Sequence, residues 1–278
     1  MLKTEMRNPH SMHIDRMDSA EILRVIQAEN KQAVDAIDAE LDAISAAVDA
    51  ITERMKKGGR LFYVGCGTSG RLGVLDASEC PPTYGVPGDR VVGIIAGGDR
   101  ALRYAVEGAE DDETAGRADL AVYEITPEDS VVGISVAGGA AYVLGALRQG
   151  KACGALTIAL TCNSPCPLEA VADIRIHPDT GAEVITGSTR MKAGSAHKMI
   201  LNMLSTAVMV RLGYVYENLM INLKPSNDKL RRRMCRIVCD ITGCGEGAAE
   251  TLLEAADWDI RTAVEYGESG IHQREKKV

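Results

Sequence analysis

A chain of 278 residues, 46% hydrophobic and 25% charged, can bury a full α/β core with room for a small appendage. A formal net charge of −8 without a basic stripe argues against nucleic acid as the main partner, and Arg231-Arg232-Arg233 and Lys276-Lys277 are expected to be solvated helix or tail surface. No apolar run approaches the roughly 18 residues of a membrane span and the polar start does not read as a signal peptide, so a soluble cytoplasmic protein is expected, with no membrane partner.

The first 17 residues are polar and irregular. A long helical region follows, in which Val34, Ile37, Leu41, Ile44, Val48, Ile51 and Met55 alternate by three and four until Lys56-Lys57-Gly58-Gly59 ends the pattern. That seam suits a helix packed on its own domain, and equally one that also builds a dimer.

Residues 61–64 read as a buried strand, and glycines and hydroxyls follow at once. Gly65, Gly67 and Gly70 let the backbone turn so that its N–H groups face an anion, and a helix starting near Ser69 adds the positive end of its dipole. Thr68 and Ser69 at the helix entrance, with Glu79 held before a Pro81-Pro82 stop, favour a sugar-phosphate site over an ordinary strand-to-helix turn. Further strands are expected at 91–95, 131–134, 156–160 and 174–176, with helices beginning near Arg100, Ala140, Leu168 and Thr189. The alternation implies a parallel sheet with helices on both faces, and ligands beyond the carboxyl ends of its strands. The loops 65–70, 96–99, 135–140 and 181–190 would then share one crevice.

In the last of these loops Ser188, Thr189 and Arg190 open a helix running to about Leu212. Ser188 reads as an N-cap or as a second phosphate or sugar contact. Glu107, Glu110, Asp111, Asp112 and Glu113 crowd a helix end; by default they are a solvated acidic turn, but one of them can be the partner of Glu79 in acid–base work. Spacing alone does not say which. The eight cysteines form no CxxC pair and read as reduced packing thiols. Cys235, Cys239 and Cys244 are a weak zinc pattern without a nearby histidine, so no metal is expected.

Several ordered blocks carry a resemblance. They are Thr4-Glu5-Met6-Arg7-Asn8-Pro9, Gly67-Thr68-Ser69-Gly70-Arg71-Leu72-Gly73, Asp76-Ala77-Ser78-Glu79-Cys80-Pro81-Pro82-Thr83, Val106-Glu107-Gly108-Ala109-Glu110-Asp111 and Gly187-Ser188-Thr189-Arg190-Met191-Lys192-Ala193-Gly194. Over nearly its whole length the chain resembles the N-acetylmuramic acid 6-phosphate etherases, members of the sugar isomerase (SIS) fold group related to glucokinase regulatory protein. The resemblance implies a SIS domain at 58–224 between an N-terminal helical region at 1–57 and a small, shortened helical module at 225–278. It implies an ether-cleaving lyase without cofactor, acting on a phosphosugar, with Glu79 as acid and Glu110 as base, in a homodimer that shares its active site. Where the family usually has Ser-Gly-Arg-Thr-Pro, this chain has Ala137-Gly138-Gly139-Ala140-Ala141; Ser135 and the amides of Gly138 and Gly139 are expected to compensate in part. His197 stands where a glutamine is usual, as a ligand contact or a packed helix histidine. A final helix is expected to be absent or replaced by the polar tail 270–278. The alternatives are a non-catalytic sugar-phosphate-binding regulator and, last, a phosphosugar isomerase.

Overall fold

The computed structural model of the chain describes residues 2–225 and 227–275; Lys276 and Lys277 lie outside them. The residues divide into two compact units, Met1–Ser78 with Gly88–Val208, and Glu79–Pro87 with Met209–Val278.

In the first unit β1 (Leu61–Gly65), β2 (Val91–Ile95), β3 (Ser130–Ile134), β4 (Leu156–Leu160) and β5 (Ile174–Ile176) form one parallel sheet in the order β2-β1-β3-β4-β5. Continuous Val/Ile/Leu runs suit a parallel sheet covered on both faces. Phe62, Val64 and Val131 pack in one cluster with Val143 and Leu147 of α6 (Ala141–Ala152). Tyr63 points the other way, onto α3 (Gly67–Tyr84), where a Cβ on Gly73 would come within 2.9 Å of the Tyr63 Cβ. The expected α/β architecture with helices on both faces is what the chain adopts.

The long N-terminal helical region is two helices, α1 (Ser19–Asp38) and α2 (Leu41–Lys56). An Asp18–Glu21 capping box starts α1, and a turn at Ala39 and Glu40 separates it from α2. The turn divides the seam: Ile44, Val48, Ile51 and Met55 are buried, while Val34 and Leu41 stay 52% and 48% exposed. Because α2 packs against β4 and β5, its part of the seam is spent on its own unit.

Helix α3 does not stop at Pro81-Pro82 as expected but runs on to Tyr84. Each proline removes one N–H bond, to the carbonyls of Ala77 and Ser78, and so close to the helix end that loss does not break the chain's path. The stop is Gly85, at φ +69°, whose N–H bonds Pro81 O at 2.9 Å.

After the short α4 (Arg100–Arg103), a helix with no apolar periodicity, α5 (Glu113–Ala121), packs closely on α6. Glycines permit the crossing: a Cβ on Gly116 would lie 1.9 Å from Tyr142 O, and one on Gly145 2.1 Å from Glu113 O. Beyond α7 (Pro167–Val171), helix α8 (Lys192–Arg211) begins three residues later than expected. The cap is not Ser188 but Glu183, whose buried carboxylate accepts from the N–H of Lys192 at 2.9 Å and of Ala193 at 3.0 Å.

The second unit holds the hairpin β6 (Val215–Tyr216) and β7 (Leu219–Met220) and the helices α9 (Asp228–Thr242), α10 (Glu246–Ala255) and α11 (Ile260–Glu275). Met234, Val238, Leu253 and Ile260 form its core. Arg231, Arg232 and Arg233 are exposed on α9, with the Arg231 guanidinium 4.7 Å over the Trp258 ring. The polar stretch expected to replace a final helix instead continues α11 as far as Glu275. All eight cysteines are free thiols.

Candidate active site

The strand order reverses between β1 and β3, and the loops leaving these two strands diverge to opposite faces. Such a switch point opens a crevice at the carboxyl ends of the strands. Here it is a cavity of about 230 Å³, walled by Cys66, Gly67, Thr68 and Ser69 from the β1 side and by Ser135, Ala137 and Ala140 from the β3 side. Glu110, Thr189 and Glu5 complete the lining that matters chemically.

Two helices begin at this crevice. In α3 the first i→i−4 bond is from Gly70 N–H to Cys66 O, so the amides of Gly67, Thr68 and Ser69 have no intrahelical acceptor. Helix α6 starts from Ala140, which has no side chain to cap it, leaving its first amides for a ligand. Among the described residues no lysine or arginine lines this cavity. An anion here would be held by amides, helix dipoles and hydroxyls.

Of the residues singled out in the sequence, Gly67, Thr68, Ser69, Ser135, Thr189 and Glu110 meet in the crevice. Gly70 lies behind it: a Cβ would stand 2.6 Å from both Gly65 O and Ile95 Cγ1, so this glycine serves helix-to-strand packing. Gly138, at φ +72°, donates to Ser135 O at 3.0 Å, and Cys166 Sγ fills the space beside it. Its amide is therefore committed and does not replace the missing side chains. Gly139, Ser188 and Arg190 are not part of the lining. Glu79 is exposed on α3, in the part counted with the second unit, and is likewise outside the lining.

Three of the five acids after residue 105 separate by what they touch. Asp112 caps α5 by accepting from Ala115 N–H at 2.9 Å. Glu113 pairs with Arg117 at 3.0 Å and Arg148 at 2.6 Å, which holds its carboxyl below the usual range. Glu110, on a 3-10 turn introduced by Gly108 at φ +74°, reaches the crevice.

Neighbouring groups narrow the chemistry. Burial, helped by the charges of Glu110 and Asp111, pushes the Cys66 thiol up to about 12, so it is no thiolate nucleophile near neutral pH. His197 is fully buried in α8 with Nε2 3.3 Å from Cys162 Sγ, and burial pushes it down to about 4; it is a packed histidine, not a ligand contact. Among the described residues no three His, Cys, Asp or Glu side chains gather to hold a metal.

Two features escaped the sequence. The first is Glu5, brought to the crevice by an N-terminal segment read as irregular. Asn163 Nδ2 donates to Thr4 Oγ1 at 2.9 Å, and Asn8 Nδ2 donates to Glu29 at 2.7 Å and to Ala182 O at 3.1 Å. Glu29 is itself buried and ion-paired to Lys192. Burial raises its carboxyl, but hydrogen bonds from Lys192, His10 and Asn8 outweigh burial and hold it below the ordinary value. No periodicity announces such a tether; the only available signal was the Thr4–Pro9 block. The second is an adjoining cavity of about 190 Å³ that shares Cys66, Gly67 and Glu110 with the first and includes Arg71.

Comparison with known proteins places this geometry. Residues 43–151 match the glucokinase regulatory protein N-terminal SIS domain. Among solved structures, a phosphoheptose isomerase from Francisella tularensis superposes with a TM-score of 0.52 at 18% identity, over 70% of this chain and 100% of that one. A putative phosphosugar isomerase involved in capsule formation from Bacteroides fragilis gives 0.53 at 23%, over 70% and 94%. These likenesses concern the fold. An N-acetylmuramic acid 6-phosphate etherase from Caldanaerobacter subterraneus subsp. tengcongensis is 52% identical over 95% of this chain and 86% of its own. One from Actinobacillus succinogenes is 49% identical over 97% and 89%. With half its residues shared over nearly its full length, the chain belongs to the N-acetylmuramic acid 6-phosphate etherase family.

Proposed function

We propose that this enzyme cleaves the D-lactyl ether of N-acetylmuramate 6-phosphate by elimination and hydration, giving N-acetylglucosamine 6-phosphate and D-lactate. The observation that carries the reading is the near-full-length identity to etherases, on a chain whose switch-point crevice joins free helix amides to a carboxylate.

In the ring-opened sugar the ether oxygen is β to the aldehyde, so the proton on the intervening carbon is acidic. Glu110 takes that proton, the C–O bond to lactate breaks, and Glu79 protonates the departing oxygen. Water then adds across the resulting double bond, returning both carboxyl groups to their starting states. The phosphate rests on the amides that open α3 and α6, with Thr68, Ser69, Ser135 and Thr189 supplying hydroxyls. Arg190 is exposed beside this loop and supplements the phosphate contact from outside the lining. The acid role requires partial burial. Glu79 is exposed and outside the crevice lining in the single chain, so the acid role calls for the Glu79 of a second subunit at the crevice. This favours a homodimer with a shared active site. The free thiols suit the reducing cytoplasm, and fractionation that found the protein outside it would contradict that placement.

Glu110→Gln and Glu79→Gln keep shape but lose the proton-transferring group. Each is expected to lower lactate release by roughly 10²–10⁴-fold with an unchanged circular dichroism spectrum. Near-normal release from either variant removes that residue from the mechanism.

A further inference from the structure

Beyond Glu110 the crevice continues into the second cavity, lined by Arg71, Tyr104, Glu107 and Glu110 among others. Arg71 stands one helical turn past the free amides of α3. Its Nε donates to Leu102 O at 3.1 Å and one Nη to Tyr104 O at 3.4 Å. Two neutral carbonyls thus fix the guanidinium, while the other Nη keeps both its hydrogens for something else. Arg71 is partly buried and forms no ion pair among the described residues, although Glu107 and Glu110 share its cavity, so its guanidinium has no direct carboxylate partner. A planar, oriented, unpaired guanidinium in a cavity is a receptor for a carboxylate.

We propose that this second cavity binds the carboxylate of the leaving group, with Arg71 as its partner. The inference rests on the etherase reading, because the substrate then has an anion at each end and the reacting carbon between them. The cavities follow the same order: amides and hydroxyls in one, Arg71 in the other, and Glu110 in the lining of both. Glu107 lines the Arg71 side and repels a carboxylate, so occupancy there depends on Arg71. The subsite distinguishes a lactyl ether from a neutral ether of the same sugar phosphate.

The test compares N-acetylmuramate 6-phosphate with the 3-O-ethyl ether of N-acetylglucosamine 6-phosphate, which lacks the carboxylate. Arg71→Gln is expected to lose roughly tenfold to hundredfold in kcat/KM on the lactyl ether and less than about threefold on the ethyl ether, with Arg71→Lys recovering part of the difference. Equal losses on both ethers would mean that Arg71 only braces residues 102–104, and would overturn the proposal. A second arm avoids turnover: in Glu110→Gln protein, N-acetylmuramate 6-phosphate should bind more tightly than N-acetylglucosamine 6-phosphate, and Arg71→Gln should erase that preference. No preference overturns the subsite while leaving the etherase intact. A preference that depends on Arg71, in a protein whose wild type releases no lactate, keeps the subsite and sinks the etherase.

Discussion

A buried imidazole records its surroundings in how stability follows pH. The unfolded His197 ring takes up a proton near pH 6.5, whereas burial pushes the folded ring down to about 4. Below pH 6.5 the unfolded chain therefore binds a proton that the folded chain refuses, and stability falls as pH drops. Between pH 7 and pH 5 the loss attributable to this residue is about 2 kcal/mol. Urea melts across that range should show a shallower decline for His197→Gln than for the wild type. The same slope in both would contradict a neutral, buried His197. At this scale the sequence was readable where a residue's role follows from its neighbours in the chain, as with Thr68 and Ser69 at a helix start. It was silent where the role depends on distant partners. Three of the five clustered acids became a cap, an ion-pair centre and a crevice carboxylate only once Ala115, Arg117, Arg148 and Cys66 were in place. Glu183 displaced Ser188 as the α8 cap for the same reason, since its reach to Lys192 is set by a loop and not by periodicity.

Elements made of apolar runs were legible almost residue by residue. All five strands of the sheet lie where the Val/Ile/Leu segments stand between glycines and polar turns. Helix α5 was not, because Leu120 is its one large buried apolar side chain and its packing relies on Gly116. The break between α1 and α2 was hidden by a seam that continues across it in sequence but not in space. What joins α1 to the start of α8 is polar: the buried Glu29–Lys192 pair, with Gln32 accepting from Lys192 at 3.2 Å. Removing one partner of such a pair strands the other's charge, at about 3–5 kcal/mol. Lys192→Met should lower the unfolding free energy by that order in denaturant titration. A change under about 1 kcal/mol would show that the pair does not tie these helices together.

For the whole molecule, the α2 seam is used inside its own unit, yet Leu23 and Val34 of α1 remain 65% and 52% exposed, with Leu41 at 48%. Their spacing on α1 brings Leu23 and Val34 to one face, which suits a second copy of the chain and agrees with a Glu79 that needs covering. Light scattering at micromolar concentration should report twice the chain mass; the mass of one chain would count against the shared site. The claim that governs everything else is elimination followed by hydration. It is tested most directly by incubating the purified protein with N-acetylmuramate 6-phosphate in ¹⁸O-water and following both products by mass spectrometry. The account predicts D-lactate without label and N-acetylglucosamine 6-phosphate carrying the label at its 3-hydroxyl, because the bond broken is the one between the sugar carbon and the ether oxygen. Label in the lactate, or no lactate at all, would contradict it.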